Sequence, residues 1–141
     1  MEKDDIYYMK QAYNEAKKAY LKNEIPIGVV IVKDNKIIAR AHNLRDSKNI
    51  VTKHAEIIAI EKANKKLKNW RLLDTVLYST LEPCSMCEGV IKESKISKVI
   101  YGAKNNLNNS INNNYNQIDS IELITLCENL IKNKFKELRN K

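Results

Sequence analysis

Apolar side chains recur at every third or fourth position near the start of the chain, which is the spacing of one face of an α-helix. The residues with this spacing are Ile6, Met9, Tyr13, Ala16 and Tyr20. Asp5 comes directly before them and is a candidate N-cap. The pattern predicts a first helix over residues 5–23 whose apolar stripe packs against a sheet.

Four short runs rich in β-branched and apolar residues predict strands. Residues 27–32 and 37–41 flank a polar turn and predict an antiparallel hairpin. Residues 75–80 are apolar at nearly every position, as expected of a strand that is buried on both faces. A helix predicted over 84–93 separates that strand from 98–101, and this order predicts that the two strands are parallel.

The rest of the chain predicts further helices, loops and a fifth strand. Ile57, Ile58, Ile60 and Ala63 indicate a second helix that starts near residue 54. Residues 45–49 and the asparagine-rich 105–116 predict loops, and 121–124 predicts the fifth strand. The apolar side of a last helix is predicted at Leu126, Leu130, Ile131, Phe135 and Leu138. Together these elements predict an α/β fold, a single domain over 1–141 with three α/β/α layers and a mixed five-stranded sheet with helices on both faces.

The charge of the chain leaves two interpretations open. The net charge is +8, which favours an anionic partner such as nucleic acid but is equally typical of a basic, soluble surface. Basic residues cluster at two places, first Lys62, Lys65, Lys66, Lys68 and Arg71, then Lys132, Lys134, Lys136, Arg139 and Lys141. No apolar run approaches the roughly 20 residues of a membrane span. The start of the chain lacks the features of a secretory signal, so we expect a cytoplasmic protein with no membrane partner.

Three potential zinc ligands and one carboxylate stand out. His54 is followed by Glu56, and about thirty residues later Cys84 and Cys87 lie one helical turn apart. A structural zinc site normally closes with four protein ligands, whereas a catalytic site uses three and leaves the fourth position to water. The motifs therefore predict a hydrolytic zinc site, because His42 and Cys127 lack ligand spacing.

The two motifs His54-Ala55-Glu56 and Pro83-Cys84-Ser85-Met86-Cys87 resemble those of the zinc-dependent cytidine deaminase-like superfamily. The stretches 24–28, 42–43, 77–87 and 101–104 are similar to the tRNA adenosine deaminase branch. The resemblance implies a cytidine deaminase-like fold and Zn²⁺ held by His54, Cys84 and Cys87. It also implies proton transfer by Glu56, and conversion of adenosine to inosine at the wobble position, 34, of tRNA.

The resemblance further implies that a homodimer binds a tRNA anticodon stem-loop. The substrate contacts expected from it are Asn43, Pro26, Ala55, Asn105, Phe135 and Arg139. Two positions depart from the branch. Asn105 stands where an acidic residue is common, and Lys134-Phe135 stands where paired aromatic residues are frequent. We expect these departures to alter the RNA contacts at both places.

Three other functions remain open from the sequence. The zinc motif is also compatible with a deaminase of free guanine, cytosine or deoxycytidylate, because the reaction centre is the same. A zinc-stabilised, non-catalytic RNA-binding module would not need Glu56. A thioredoxin-like oxidoreductase would not need His54.

Overall fold

A mixed five-stranded sheet forms the centre of the computed structural model, which describes residues 4–107 and 112–139. The strands are β1 (Gly28–Lys33), β2 (Lys36–His42), β3 (Thr75–Leu81), β4 (Lys98–Ala103) and β5 (Tyr115–Gln117). Their order in the sheet is β2-β1-β3-β4-β5. Strand β1 is antiparallel to β2 and β3, whereas β3, β4 and β5 are parallel. The predicted hairpin and the predicted parallel pair are therefore confirmed.

Helices cover both faces of the sheet. They are α1 (Asp5–Leu21), α2 (Arg45–Lys48), α3 (Ala55–Leu67), α4 (Ser85–Glu93) and α5 (Ile121–Arg139). One apolar cluster joins the sheet to α3 and α4, and a second joins the other face to α1 and α5. The predicted three-layer α/β/α architecture is confirmed. Among the described residues, no helix combines the length and apolar character that crossing a membrane requires.

The packing of α1 against β1 is closer than the sequence pattern indicates. A side chain at Gly28 would meet the backbone of α1 at Ala12 and Ala16, so only small residues fit on this side of the helix. Ala12 and Ala16 are fully buried as a result.

The predicted stripe of α1 is correct in part. Met9 and Ala16 are buried, whereas Ile6, Tyr13 and Tyr20 are only partly buried, and Tyr8, Ala12 and Ala19 take the remaining core positions. The N-cap is Asp4, whose side chain accepts a hydrogen bond from the Tyr7 amide at 2.9 Å. The prediction of Asp5 as the cap was wrong by one residue.

Three further predictions need correction. The predicted loop 45–49 contains α2, which is stabilised because the Asp46 amide donates a hydrogen bond to the side chain of Glu24, more than twenty residues earlier. The predicted loop 105–116 ends in the start of β5, which pairs with β4, while 108–111 lie outside the described residues. The predicted strand 121–124 is the first turn of α5, because the Ser120 hydroxyl accepts a hydrogen bond from the Leu123 amide at 3.3 Å and caps a helix.

The buried side of α5 also differs from the predicted one. Its buried residues are Leu123, Cys127 and Lys134. Phe135 and Leu138 are 46% and 40% exposed, so the predicted apolar side faces solvent in part. The helix contacts the sheet mainly through β4, and it also packs against α1.

Candidate metal centre

His54 and Cys84 each occupy the residue before a helix. His54 is the N-cap of α3 and Cys84 is the N-cap of α4, and both have extended backbone conformations. Cys87 lies in the first turn of α4 and is fully buried. The partial positive charge of a helix N-terminus favours a thiolate, so the two cysteines lie where metal-binding sulfur is stabilised.

The ligand atoms of these three residues converge. Nδ1 of His54 lies 3.8 Å from Sγ of Cys84 and 3.5 Å from Sγ of Cys87. In a tetrahedral zinc site the metal lies about 2.3 Å from sulfur and about 2.0–2.1 Å from nitrogen. A nitrogen ligand and a sulfur ligand of the same zinc ion are therefore about 3.6 Å apart. All three ligand atoms lie within 4.8 Å of one another. The donor set and its spacing therefore fit one zinc ion with three protein ligands.

The protonation of the two thiols is linked. A hydrogen bond from Cys87 to Cys84, opposed by burial, holds the pKa of the Cys84 thiol at about 5. The same hydrogen bond, together with burial, raises the pKa of the Cys87 thiol. The pair therefore holds one negative charge readily, as a cation-binding site requires.

Glu56 is a buried carboxylate directly beside this cluster. It is 3% exposed, and burial raises the pKa of its carboxyl to about 7. Within the described part of the chain, its Oε1 is buried and has no hydrogen-bond partner. A buried polar atom normally has a hydrogen-bond partner. The environment of Oε1 therefore fits an atom whose partner is a bound metal, water or substrate.

A cavity of about 160 Å³ opens onto the cluster. It is lined by Ile25, Ile27, Asn43, Arg45, His54, Glu56, Leu81, Glu82, Cys84 and Asn105. Pockets for drug-sized ligands are about 300–1,000 Å³, so this one fits a fragment of the size of a single base. The structure thus brings together five of the predicted site residues at the cavity wall, and Cys87 behind them.

Asn105 is tied to the segment that carries Cys84. Its backbone amide donates to Oε1 of Glu82 at 3.1 Å, and its side-chain oxygen accepts from the Leu107 amide at 3.0 Å. Its side-chain nitrogen lies 3.5 Å from the Glu82 carbonyl oxygen. Asn105 therefore closes the loop after β4 over the start of α4.

Four predicted substrate residues lie outside the cavity wall. Pro26 and Ala55 are buried next to residues that line it, Ile25 and Ile27 for Pro26 and His54 and Glu56 for Ala55. Phe135 and Arg139 line a separate cavity of about 480 Å³ on α5, with Lys132 and Leu138. Their predicted contacts with substrate stay predictions.

Sequence reasoning missed Arg45 and Glu82 in the cavity wall. Arg45 follows Asn43 by two residues, and Glu82 directly precedes the Pro83-Cys84 motif. A charged residue next to a motif was the available signal. Neither residue has the spacing of a zinc ligand relative to His54, Cys84 or Cys87, so the zinc motif does not include them.

The family is decided by a sequence comparison. The family profile described as the cytidine and deoxycytidylate deaminase zinc-binding region matches residues 2–103. The chain belongs to this family. Membership confirms the predicted fold class and, with the converging histidine and cysteines, the predicted zinc cofactor.

This deaminase is similar to several named proteins. It is 41% identical over 149 aligned residues to a tRNA-specific adenosine deaminase of Streptococcus pyogenes serotype M1, covering 98% of this chain and 87% of the relative. A solved structure from a study of A-to-I editing by tRNA:A34 deaminases has a TM-score of 0.69 and 42% identity, covering 71% of this chain and 77% of that one. A guanine deaminase structure from Bacillus subtilis has the same TM-score of 0.69 and 38% identity, covering 72% and 66%.

Proposed function

We propose that this zinc deaminase converts adenosine to inosine at the wobble position of tRNA by hydrolysis. The observation that carries the reaction type is a buried carboxylate, Glu56, beside three converging zinc ligands in a cavity of base size. The substrate follows from the 41% identity to a tRNA-specific adenosine deaminase along 98% of the chain.

His54, Cys84 and Cys87 are the proposed zinc ligands. Three protein ligands leave one position open. A zinc ion held by these three residues would lower the pKa of a water molecule at the open position towards neutrality and so supply hydroxide.

Glu56 moves the protons of the reaction. Its carboxylate accepts a proton from the attacking water and passes it to the ring nitrogen beside the amino-bearing carbon. The water oxygen forms a bond to that carbon, and the carbon–nitrogen bond to the amino group then breaks. Glu56 then takes the second proton, from the hydroxyl group now on that carbon, and gives it to the departing amine, so the products are ammonia and inosine. The environment of Oε1, buried and without a partner among the described residues, is suited to this transfer because this oxygen can take its partner from a water molecule or the substrate.

Recognition of the base falls to the cavity wall, and recognition of the RNA to the surface around it. Asn43 is 4% exposed and carries an amide that both donates and accepts. The cavity is too small for a stacked duplex, so the target base has to leave the loop of an anticodon stem-loop and enter alone. Basic and aromatic residues of α5, Phe135 and Arg139, contact the loop outside the cavity.

A homodimer is the proposed assembly, working in the cytoplasm with each chain folded as one domain. The face formed by α3 and α4 carries a second cavity of about 590 Å³, lined in part by Ile57, Trp70 and Val90. Trp70 is 55% exposed there. Tryptophan is enriched at protein interfaces, and an exposed apolar patch marks an interaction surface. The second copy would cover Trp70, which follows the C-terminal end of α3 and whose carbonyl accepts a hydrogen bond from the Asn64 side chain.

A free-base deaminase is the second candidate function. The guanine deaminase structure, at 38% identity over 72% of this chain, favours it. The zinc ligands and Glu56 serve both reactions equally, so the difference lies in which base and which flanking atoms the cavity accepts.

Ammonia release from matched substrates tests the proposal. The zinc-loaded protein is incubated with a tRNA anticodon stem-loop that carries adenosine at the wobble position, the same loop with guanosine there, and free guanine, cytosine and deoxycytidylate. We expect inosine in the first loop by mass spectrometry and little turnover of the other substrates. Efficient turnover of a free base, with neither loop deaminated, would replace the tRNA assignment by the second candidate.

A further inference from the structure

Glu24 is a fully buried carboxylate that the proposed reaction does not use. Its exposed fraction is 0%. No lysine, arginine or histidine of the described residues forms an ion pair with it. Burying a charge costs several kcal/mol unless hydrogen bonds compensate it. An apolar residue would fill this space at a lower cost, so the carboxylate calls for a specific explanation.

In the part of the chain that the structure describes, the hydrogen bonds of the Glu24 carboxylate are all with α2. Oε1 accepts from the Asp46 amide at 3.1 Å, and Oε2 accepts from the amide and the hydroxyl of Ser47, each at 2.5 Å. Helix α2 has four residues, and Leu44 at its N-cap makes no side-chain cap. Such a short helix is unstable by itself. Glu24 therefore supplies, from a distant part of the chain, the acceptors that the helix lacks.

The segment anchored in this way carries two residues of the zinc cavity. Asn43 and Arg45 both line it. The Arg45 amide lies 3.4 Å from the side-chain oxygen of Asn43, which orients the Asn43 amide group. The two ends of the segment are joined by a hydrogen bond. The Leu44 amide, before α2, donates at 2.9 Å to the carbonyl of Lys53, which lies after α2 and directly before His54. Glu24 thus holds the middle of a loop that starts at the base-binding residue and ends at a metal ligand.

We propose that Glu24 is a positioning residue for substrate binding, which holds α2 so that Asn43 and Arg45 face the base-sized cavity. The proposal rests on the proposed deaminase function, but it holds for a base in RNA and for a free base alike. Contacts that are made equally with substrate and transition state change KM and leave kcat nearly unaltered. Loss of the Glu24 contacts should therefore raise KM.

The test compares Glu24→Gln with Asp5→Asn in the full, zinc-loaded chain. Asp5 is a matched control because its carboxylate accepts a 2.6 Å hydrogen bond from the buried Tyr78 hydroxyl, on the α1 side of the sheet. For Glu24→Gln we expect KM to rise about tenfold or more, the loss expected when hydrogen bonds to a charged group are removed. We expect kcat to change by less than about threefold and zinc content to stay at one per chain. Asp5→Asn should leave KM unchanged.

Hydrogen exchange gives a readout that is independent of the substrate. The amides of Asp46 and Ser47 should exchange at least about tenfold faster in Glu24→Gln than in the unaltered chain, and at an unchanged rate in Asp5→Asn. If Glu24→Gln does not fold, Ser47→Ala removes one of the three donors and should raise KM by a few fold at unchanged thermal stability. The proposal is overturned if folded, zinc-loaded variants keep both KM and the exchange rates, or if Asp5→Asn raises KM equally. Failure of the stem-loop as a substrate is a separate result, because KM is then measured on whichever base is deaminated.

Discussion

Replacement of Gly28 by alanine tests how closely α1 packs on the sheet. A Cβ at this position would lie 2.0 Å from the Ala12 carbonyl oxygen and 2.4 Å from the Ala16 nitrogen. Ordinary contacts between such atoms are about 3.5 Å or longer. The clash involves backbone atoms, which cannot rotate away, so α1 would have to move by more than about 1 Å. Gly28 does not have a positive φ, and the penalty is therefore steric rather than conformational.

The expected cost lies at the upper end of the overpacking range, about 3 kcal/mol. For a chain of 141 residues, this corresponds to a fall in melting temperature of roughly 6–12 °C. The effect should reach the zinc cavity, because the Gly28 amide donates to the Thr80 hydroxyl at 3.0 Å and the neighbouring Ile27 lines the cavity. Circular dichroism melts of the zinc-loaded proteins measure the change.

Gly89→Ala is the matched control for this experiment. Gly89 lies inside α4, where a Cβ would meet nothing within 4 Å. Alanine in a helix interior is favoured over glycine by about 0.5–1 kcal/mol, so this variant should melt at or slightly above the unaltered chain. If Gly28→Ala melts within about 2 °C of the unaltered chain, then α1 can move freely and the reasoning from its close packing is wrong.

The remaining predictions concern the zinc site, the surface proposed to bind RNA and the proposed dimer interface. Cys87→Ala should lose zinc and activity together while Cys127→Ala keeps both, and elemental analysis that finds full zinc occupancy in Cys87→Ala would reject the ligand assignment. Glu56→Gln should keep zinc and fold but lose at least about a hundredfold in rate; near-normal turnover by the zinc-loaded variant would rule out proton transfer by this residue. Asn105→Asp places a second carboxylate beside Glu82 and should change the ratio of RNA to DNA stem-loop binding, whereas an unchanged ratio removes Asn105 from recognition. Trp70→Glu should convert a dimer to a monomer in sedimentation velocity, and a dimer that persists places the interface on another face.

The zinc ligands could be predicted from the sequence because their arrangement is mostly local. Cys84 and Cys87 are three residues apart, and one helical turn brings their sulfur atoms to the same side. His54 lies thirty residues away, yet it needs only to begin a helix at the same edge of the sheet, and the strand and helix patterns indicate this. Glu56 follows because it is two residues from a ligand.

The contacts that the sequence could not indicate are those between distant segments. The hydrogen bonds from Ser47 to Glu24 join residues 23 positions apart, and without them 45–49 has the composition of a loop. Strand β5 forms because the edge of β4 is available to Tyr115, although asparagine-rich sequence argues against a strand. In both cases tertiary contacts override the local propensity.

Lys134 shows how such a contact changes the interpretation of a sequence difference. The resemblance implies paired aromatic residues at Lys134-Phe135, so an altered RNA contact is expected at the lysine. Its side chain is instead buried, with the ammonium group 4.3 Å from the centre of the Tyr20 ring and 2.9 Å from the side-chain oxygen of Asn23. The same ammonium group also pairs with Glu137 at 3.2 Å.

Lys134 therefore faces α1 and contributes to the packing of α5 on that helix. A buried ammonium group over an aromatic ring is stabilised by the ring as well as by its hydrogen-bond partners. Lys134 and Tyr20 together join the end of α1 to α5, next to Phe135, which is 46% exposed. Phe135 is therefore the exposed aromatic side chain at this place, and Lys134 fixes the helix that presents it.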